Sequence, residues 1–260
     1  MNRNRLIFVA AVLVIFIVFV VVVLRFVGRR GVPTPPASPV AGKPGRILPG
    51  VPGALPALSA KQQPAEINFQ GCPGEGDNPR QADLNRLKNR VDEGEYAPVT
   101  FDSIVNLPWP KSVERQSRDK WPAADEAAVE KYEGIPVAVE GYLAGAKQEG
   151  PESPNCHGDD AQFRDFHIWL VKDAADDRSH SIVVEVTPRV RANHPNWRTD
   201  VLGQIVKKDQ RVRISGWLML DPEHPDQVGK TRGTIWEIHP IMQIEVNQSG
   251  QWTPLDRAGG

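Results

Sequence analysis

The sequence predicts a mainly β protein with helical additions: a small five-stranded barrel of order β-β-β-α-β-β behind an N-terminal transmembrane helix. Three observations carry this expectation. Leu6 to Leu24 is an unbroken apolar run. Prolines crowd the segment that follows it. From Gly134 onward, short valine-rich alternating segments recur, with one helical stretch between the third and the fourth.

The run from Leu6 to Leu24 holds no Gly, Pro or charge. At about 1.5 Å per residue it covers the roughly 30 Å of a bilayer's hydrocarbon core. A buried core helix would need a polar face, and there is none. A cleaved signal peptide has a shorter apolar region, about 7–15 residues, and ends in small residues. Here Arg25, Phe26, Val27, Gly28, Arg29 and Arg30 follow instead. The segments are therefore read as a short tail (1–5), a transmembrane helix (6–27) and a proline-rich linker (28–65).

Positive charges alone favour a cytoplasmic C-terminus, because Arg25, Arg29 and Arg30 outweigh Arg3 and Arg5. The short basic N-terminus, the stalk and the two cysteines favour the opposite. The expectation is a single-pass protein of the cell membrane with an extracytoplasmic domain. Pro33, Pro35, Pro36, Pro39, Pro44, Pro49, Pro52, Pro56 and Pro64 make the linker a semi-rigid spacer, since proline fixes φ and removes a backbone donor.

Residues 66–133 read as a helical and irregular segment packed on the barrel. Leu84, Leu87 and Val91 lie at helical spacing over Ala82 to Val91. Ser112 or Asp125 is suited to cap later helices, and Trp109 and Trp121 to pack on the next domain. Residues 134–250 form the β domain. Its strands are Pro136 to Leu143, Phe166 to Val171, Ser181 to Thr187, Arg211 to Leu220, and one within Thr234 to Val246 that is broken or bulged at Pro240. Asn196 to Lys208 is the helix, with Trp197, Val201, Leu202 and Ile205 on one face. Gly141 and Gly216 fall inside strands, where a tight barrel bends. Residues 251–260 read as a C-terminal tail. Three strands, a helix and two strands is the order of an OB-fold.

The runs SPNCH, DFHIWLV, VVEVTPRVR, GWLMLDPEH and IWEIHPIMQIEV, with GCPGEGD and LNRLKNR before them, resemble a bacterial membrane-anchored or exported OB-fold-like family of unassigned function. The resemblance spans most of residues 70–247. It implies the fold and a location in the cell envelope, and it supplies no reaction.

All six histidines follow residue 156. Strand alternation sets His167 opposite Phe166 and Ile168, and Glu185 opposite Val184 and Val186, while Glu237 and His239 share a face. With Asp221 and His224 in the loop between the last two strands, these six residues form the candidate metal or ligand site. Imidazole and carboxylate suit zinc or another divalent metal, and the same groups suit acid–base work. A metal-assisted hydrolase using His167, Glu185, Glu237 and His239 is thus one reading. No close-spaced signature such as HExxH is present, and the plainer reading is a set of buried His–carboxylate bonds that fix loops.

Cys72 and Cys156 most simply form one disulfide. A thiol activated by His157, or a metal site on Cys156 and His157, are the alternatives. Trp169, Arg189, Arg191 and Trp217 form a candidate binding surface, since many OB-folds hold single strands or sugars with aromatics and arginines. From Gly134 onward 14 basic residues face 18 acidic ones, and the whole chain carries a formal charge of −1. Nucleic acid is therefore disfavoured as a partner against a saccharide, a peptide or another envelope protein. The function expected is a membrane-tethered, non-enzymatic binding module.

Overall fold

The computed structural model describes residues 68–258. The tail, the apolar run and the whole linker lie outside the described residues. Among the described residues no helix is long and apolar enough to cross a membrane.

The first described segment carries α1 (Ala82–Lys88), a short strand β1 (Ala97–Val99), α2 (Phe101–Val105) and α3 (Ala123–Val129). Asp83 lies in the first turn of α1, and Arg86 and Lys88 in its last, as the helix dipole favours. The helix ends at Lys88, before Val91, and Asn89 caps it. Ser112 and Asp125 cap nothing. They hydrogen-bond to each other, and Pro122 precedes α3. Trp121 is buried in the common core, and Trp109 packs against it.

Five strands then close on themselves: β2 (Pro136–Gln148), β3 (Phe166–Val171), β4 (Ile182–Val186), β5 (Val212–Leu220) and β6 (Trp236–Gln248). The order around the barrel is β2-β3-β4-β6-β5, and a β2–β5 pairing completes the circuit. Within this circuit the pairings are antiparallel except β4 with β6, which are parallel, and β1 adds to β2 in parallel. Between β4 and β5 lie α4 (Pro188–Arg191) and α5 (Thr199–Lys207), where the pattern predicts one helix over 196–208. Asn196 and Trp197 stay outside α5: the Asn196 amide bonds Asp256, while the Trp197 ring is buried in the core. The C-terminal tail is not a free end. It forms β7 (Gln251–Pro254), which pairs with β6, and then α6 (Leu255–Ala258).

Alternation fills the interior. Val137, Val139, Ile168, Val184, Ile214 and Ile238 are all buried in one apolar core, each worth about 1.5–3 kcal/mol of transfer free energy. The β5–β6 register shifts twice around Gly216, opposite Pro240, because proline cannot donate to the ladder. Gly216 is required by close approach rather than by φ. A Cβ there would lie 2.3 Å from the Pro240 carbonyl oxygen, and one on Gly141 would lie 2.3 Å from that of Val171.

Two glycine substitutions test this packing. Gly216→Ala is expected to lower stability by about 2–3 kcal/mol, the cost of overpacking a rigid backbone contact. Gly203→Ala, in α5 with open space around its Cα, is expected to raise it by up to about 1 kcal/mol. Urea unfolding of both variants measures the two shifts, and equal effects would contradict the geometry.

Candidate functional site

Polar side chains gather on the outer face of β3, β4 and β6, opposite the core. His167 pairs with Glu185 across β3 and β4, and Val183 with Glu237 across β4 and β6. The same alternation that sends Phe166, Ile168, Val184 and Ile238 inward turns His167, Glu185, Glu237 and His239 outward together. Nδ1 of His239 lies 3.3 Å from Oε2 of Glu185 and 3.8 Å from Oε2 of Glu237. Nδ1 of His167 lies 3.6 Å from Oε1 of Glu185 and 2.9 Å from Oε1 of Glu149.

Asp165 joins them from the residue before β3. One ligand atom each from Asp165, Glu185 and His239 lie within 4.8 Å of one another. Asp165 Oδ1 accepts a hydrogen bond from Asn155 at 2.9 Å. Its Oδ2 has no hydrogen-bond partner among the described residues, nor do Glu185 Oε2 or either ring nitrogen of His239. Relative exposure is 1% for Asp165, 7% for Glu185 and 1% for His239. Burial pushes the Asp165 carboxyl up to about 7, with Glu152 adding to the shift. Burial also raises Glu185 well above the usual carboxylate range, with Glu237 adding, and holds His239 well below the usual imidazole value. Glu149 goes the other way: burial opposes its charge, but hydrogen bonds from His167 and Lys147 hold its carboxyl at about 2.

Asp221 and His224 form a separate pair at the rim, 2.7 Å apart. Arg232 ties this pair to Glu237, donating through Nη1 at 2.8 Å to each of Asp221 and Glu237. Burial works against the Asp221 charge, but the His224 hydrogen bond and the Arg232 charge hold its carboxyl far below the usual range. The six expected residues are therefore split. His167, Glu185, Glu237 and His239 converge, while Asp221 and His224 stand apart as a partnered rim.

A cover lies over this face. Cys72 and Cys156 are bonded, with Cα atoms 5.8 Å apart, and so fix the segment before α1 to the β2–β3 loop. Asn89 donates to the carbonyls of Gly74 and Pro154, and Asn85 to that of Glu75 and to Ser153 Oγ. Between cover and barrel a cleft of about 740 Å³ remains, with Lys88, Glu152 and Arg178 on its walls and Glu185 and Glu237 deeper in. Burial opposes the Lys88 charge, but Glu152, Glu185, Asp221 and Glu237 raise its pKa above the usual lysine value.

The expected aromatic and arginine surface does not form. Trp217 is in the core, its ring covered by Arg90 at 3.4 Å and flanked by Tyr96. Arg189 is buried and donates to Asn89, Asn155 and the carbonyls of Cys72 and Pro73, which makes it a staple of the cover. Arg191 lies over Phe166 and donates to the carbonyls of Ala161 and Gln162. Of the four, Trp169 alone lines the cleft, and Arg178 stacks on its ring at 3.8 Å. The residues that the pattern missed are Asp165, Glu149, Lys88 and Arg232. Asp165 was within reach, because it lies two positions before His167 and shares its face. Arg232 sits in a loop with no periodicity to reveal it.

Arg232→Met should leave Asp221 and Glu237 buried without their cation, a loss of about 3–5 kcal/mol at pH 7. The folded-state pKa of Asp221 is depressed, so its stabilising charge is present above the unfolded value of about 3.9 and is lost as pH falls. The gap between variant and wild type should therefore narrow at acid pH. Urea unfolding at pH 7 and at about pH 2, well below that unfolded value, measures it, and an equal loss at both would assign the effect to shape. Function has to be argued from this geometry, because no protein-family model matches the chain and no curated protein is similar to it.

Proposed function

We propose that the protein is a membrane-tethered, OB-fold-like binding module of the cell envelope that holds a polar ligand in the cleft between α1 and the barrel. The cleft itself carries this reading: about 740 Å³ is of ligand size, and its walls are charged side chains of both signs. Lys88, Lys147 and Arg178 face Glu149, Glu152 and Glu223 there. Such a wall suits a ligand with hydroxyls and charges of both signs, a saccharide or peptide of the envelope. It suits nucleic acid poorly, since the carboxylates repel phosphate and the Trp169 face is taken by Arg178. The closed five-stranded barrel, the apolar run 6–24 and the proline-rich linker support the tethered OB-fold part of the proposal. The hydrolase reading is weaker, because His239 is 1% exposed and does not line the cleft.

Calorimetric titration of the full chain in detergent with a glycan–peptide fragment of cell wall, a neutral N-acetylated oligosaccharide and a mixed-charge peptide tests the cleft. At least one should bind saturably, with a Kd of about 1–100 μM. Lys147→Ala, at an exposed wall position, should weaken it about tenfold. No saturable binding by any of the three, or binding indifferent to Lys147, would remove the proposal. Orientation is tested separately. Alkaline phosphatase fused to the C-terminus should be active in cells, and an inactive fusion would place the domain on the cytoplasmic side.

A further inference from the structure

We infer that Asp165, Glu185 and His239 bind one divalent metal ion of the zinc class. The inference goes beyond the cleft ligand and does not depend on it. Of the three residues Glu185 alone lines the cleft, so the ion would sit behind the cleft wall with access past that carboxylate.

The geometry argues for an ion in two steps. First, three donors from separate parts of the chain, the residue preceding β3, then β4 and β6, bring one ligand atom each to within 4.8 Å. Zinc takes nitrogen and oxygen at about 2.0–2.2 Å, so donors around one ion stand roughly 3.4–4.2 Å apart. Side-chain rotations of under about 1 Å close that difference. Second, the atoms that would bind are the ones left without partners. Asp165 Oδ2, Glu185 Oε2 and both ring nitrogens of His239 lack hydrogen bonds, in side chains more than nine-tenths buried. A buried polar atom left unpaired costs about 1–3 kcal/mol, and more if charged, so four in one place is not an arrangement that scaffolding favours.

Chemistry narrows the ion. Two carboxylates and a neutral imidazole balance a dication. Imidazole suits zinc and its neighbours, whereas magnesium and calcium prefer all-oxygen shells of six or more. Supporting contacts are in place as well. Asn155 holds the other oxygen of Asp165, His167 lies 3.6 Å from the other oxygen of Glu185, and Glu149 holds His167. Three protein donors leave a fourth position open for water or for a ligand arriving through the cleft. Cations already act on these carboxylates and oppose another one: Lys88 and Arg232 act on Glu185, and Arg189 and Arg191 on Asp165. Lys88 is also answered by Glu152, Asp221 and Glu237, however, and Arg232 is bonded to Asp221 and Glu237.

The test uses the full chain in detergent, stripped with EDTA and titrated with zinc chloride by calorimetry, with cobalt(II) absorption as an independent readout. One ion per chain is expected, with intense visible cobalt bands of low coordination number, and with magnesium and calcium silent. Asp165→Asn and Glu185→Gln should each weaken zinc by at least about 100-fold, more than the 10- to 100-fold typical of an outer-shell partner. Both replacements keep side-chain volume and put a neutral amide in place of a buried carboxyl, so the metal-free variants should melt at or above metal-free wild type. Loss of zinc binding together with retained stability supports the site. If stripped wild type takes up no ion, or if uptake is unchanged in the two variants and so belongs to exposed histidines such as His157 and His180, the inference is overturned. A variant that fails to fold leaves the wild-type stoichiometry and cobalt spectrum to decide.

Discussion

Between β4 and β6 the ladder pairs Val183 with Glu237 and Val184 with Ile238, and the barrel depends on that short parallel contact. Without it the remaining pairings leave an open sheet. With it, the interior closes over an apolar core and the outer face acquires a fixed register. A slip of one residue would turn Glu185 and Glu237 into that core and Val184 and Ile238 out of it. The energetic penalty for burying two carboxylates among valines and isoleucines is therefore what keeps the polar cluster together on the outside.

That outside is nevertheless buried, and the cover explains how. A small barrel with one wet face would need few buried polar groups there. Here the segment around α1 lies across it, joined by the Cys72–Cys156 bond and by Arg189, which donates to residues of both the cover and the β2–β3 loop. Arg189 is held at about 10, below its usual value, because burial disfavours its charge. Asn85, Asn89 and Asn155 complete the contact through carbonyls and side chains that would otherwise be orphaned. The cover is thus a polar interface, and the cleft is the part of it that the cover leaves unfilled.

Much of the barrel was legible in the sequence because alternation and turn residues are local signals. Phe166 to Val171 matches β3, and the disturbance at Pro240 appears as the register shifts around Gly216. Alternation also brought His167, Glu185, Glu237 and His239 to one face. What the sequence hid was tertiary. β1 and β7 are three and four residues long and have no periodicity that separates them from loops. Arg189 and Arg191 read as surface charges because burial of a guanidinium depends on carbonyls supplied from distant segments. Trp217 read as a binding aromatic, but a large apolar ring gains more from the core than from a ligand that is only sometimes present. Lys88 is a basic residue between the apolar positions of α1, yet it is four residues from buried Leu84 and so on the same face.

The two halves of the polar face obey different rules, and the difference separates scaffold from site. On one side Asp221 accepts from His224, Arg232 and the Glu223 amide, and Glu237 accepts from Arg232. Charges are matched there, and most polar atoms have partners. On the other side Asp165, Glu185 and His239 are also each more than nine-tenths buried and bring one ligand atom each to within 4.8 Å, yet Asp165 Oδ2, Glu185 Oε2 and both His239 ring nitrogens lack a hydrogen bond among the described residues. Both halves share one barrel face and contain the same residue types. A fold that needed the second half only for stability had the first half's solution at hand, an arginine across two carboxylates. Under the proposed zinc site, binding would offset the cost of leaving these atoms without hydrogen bonds.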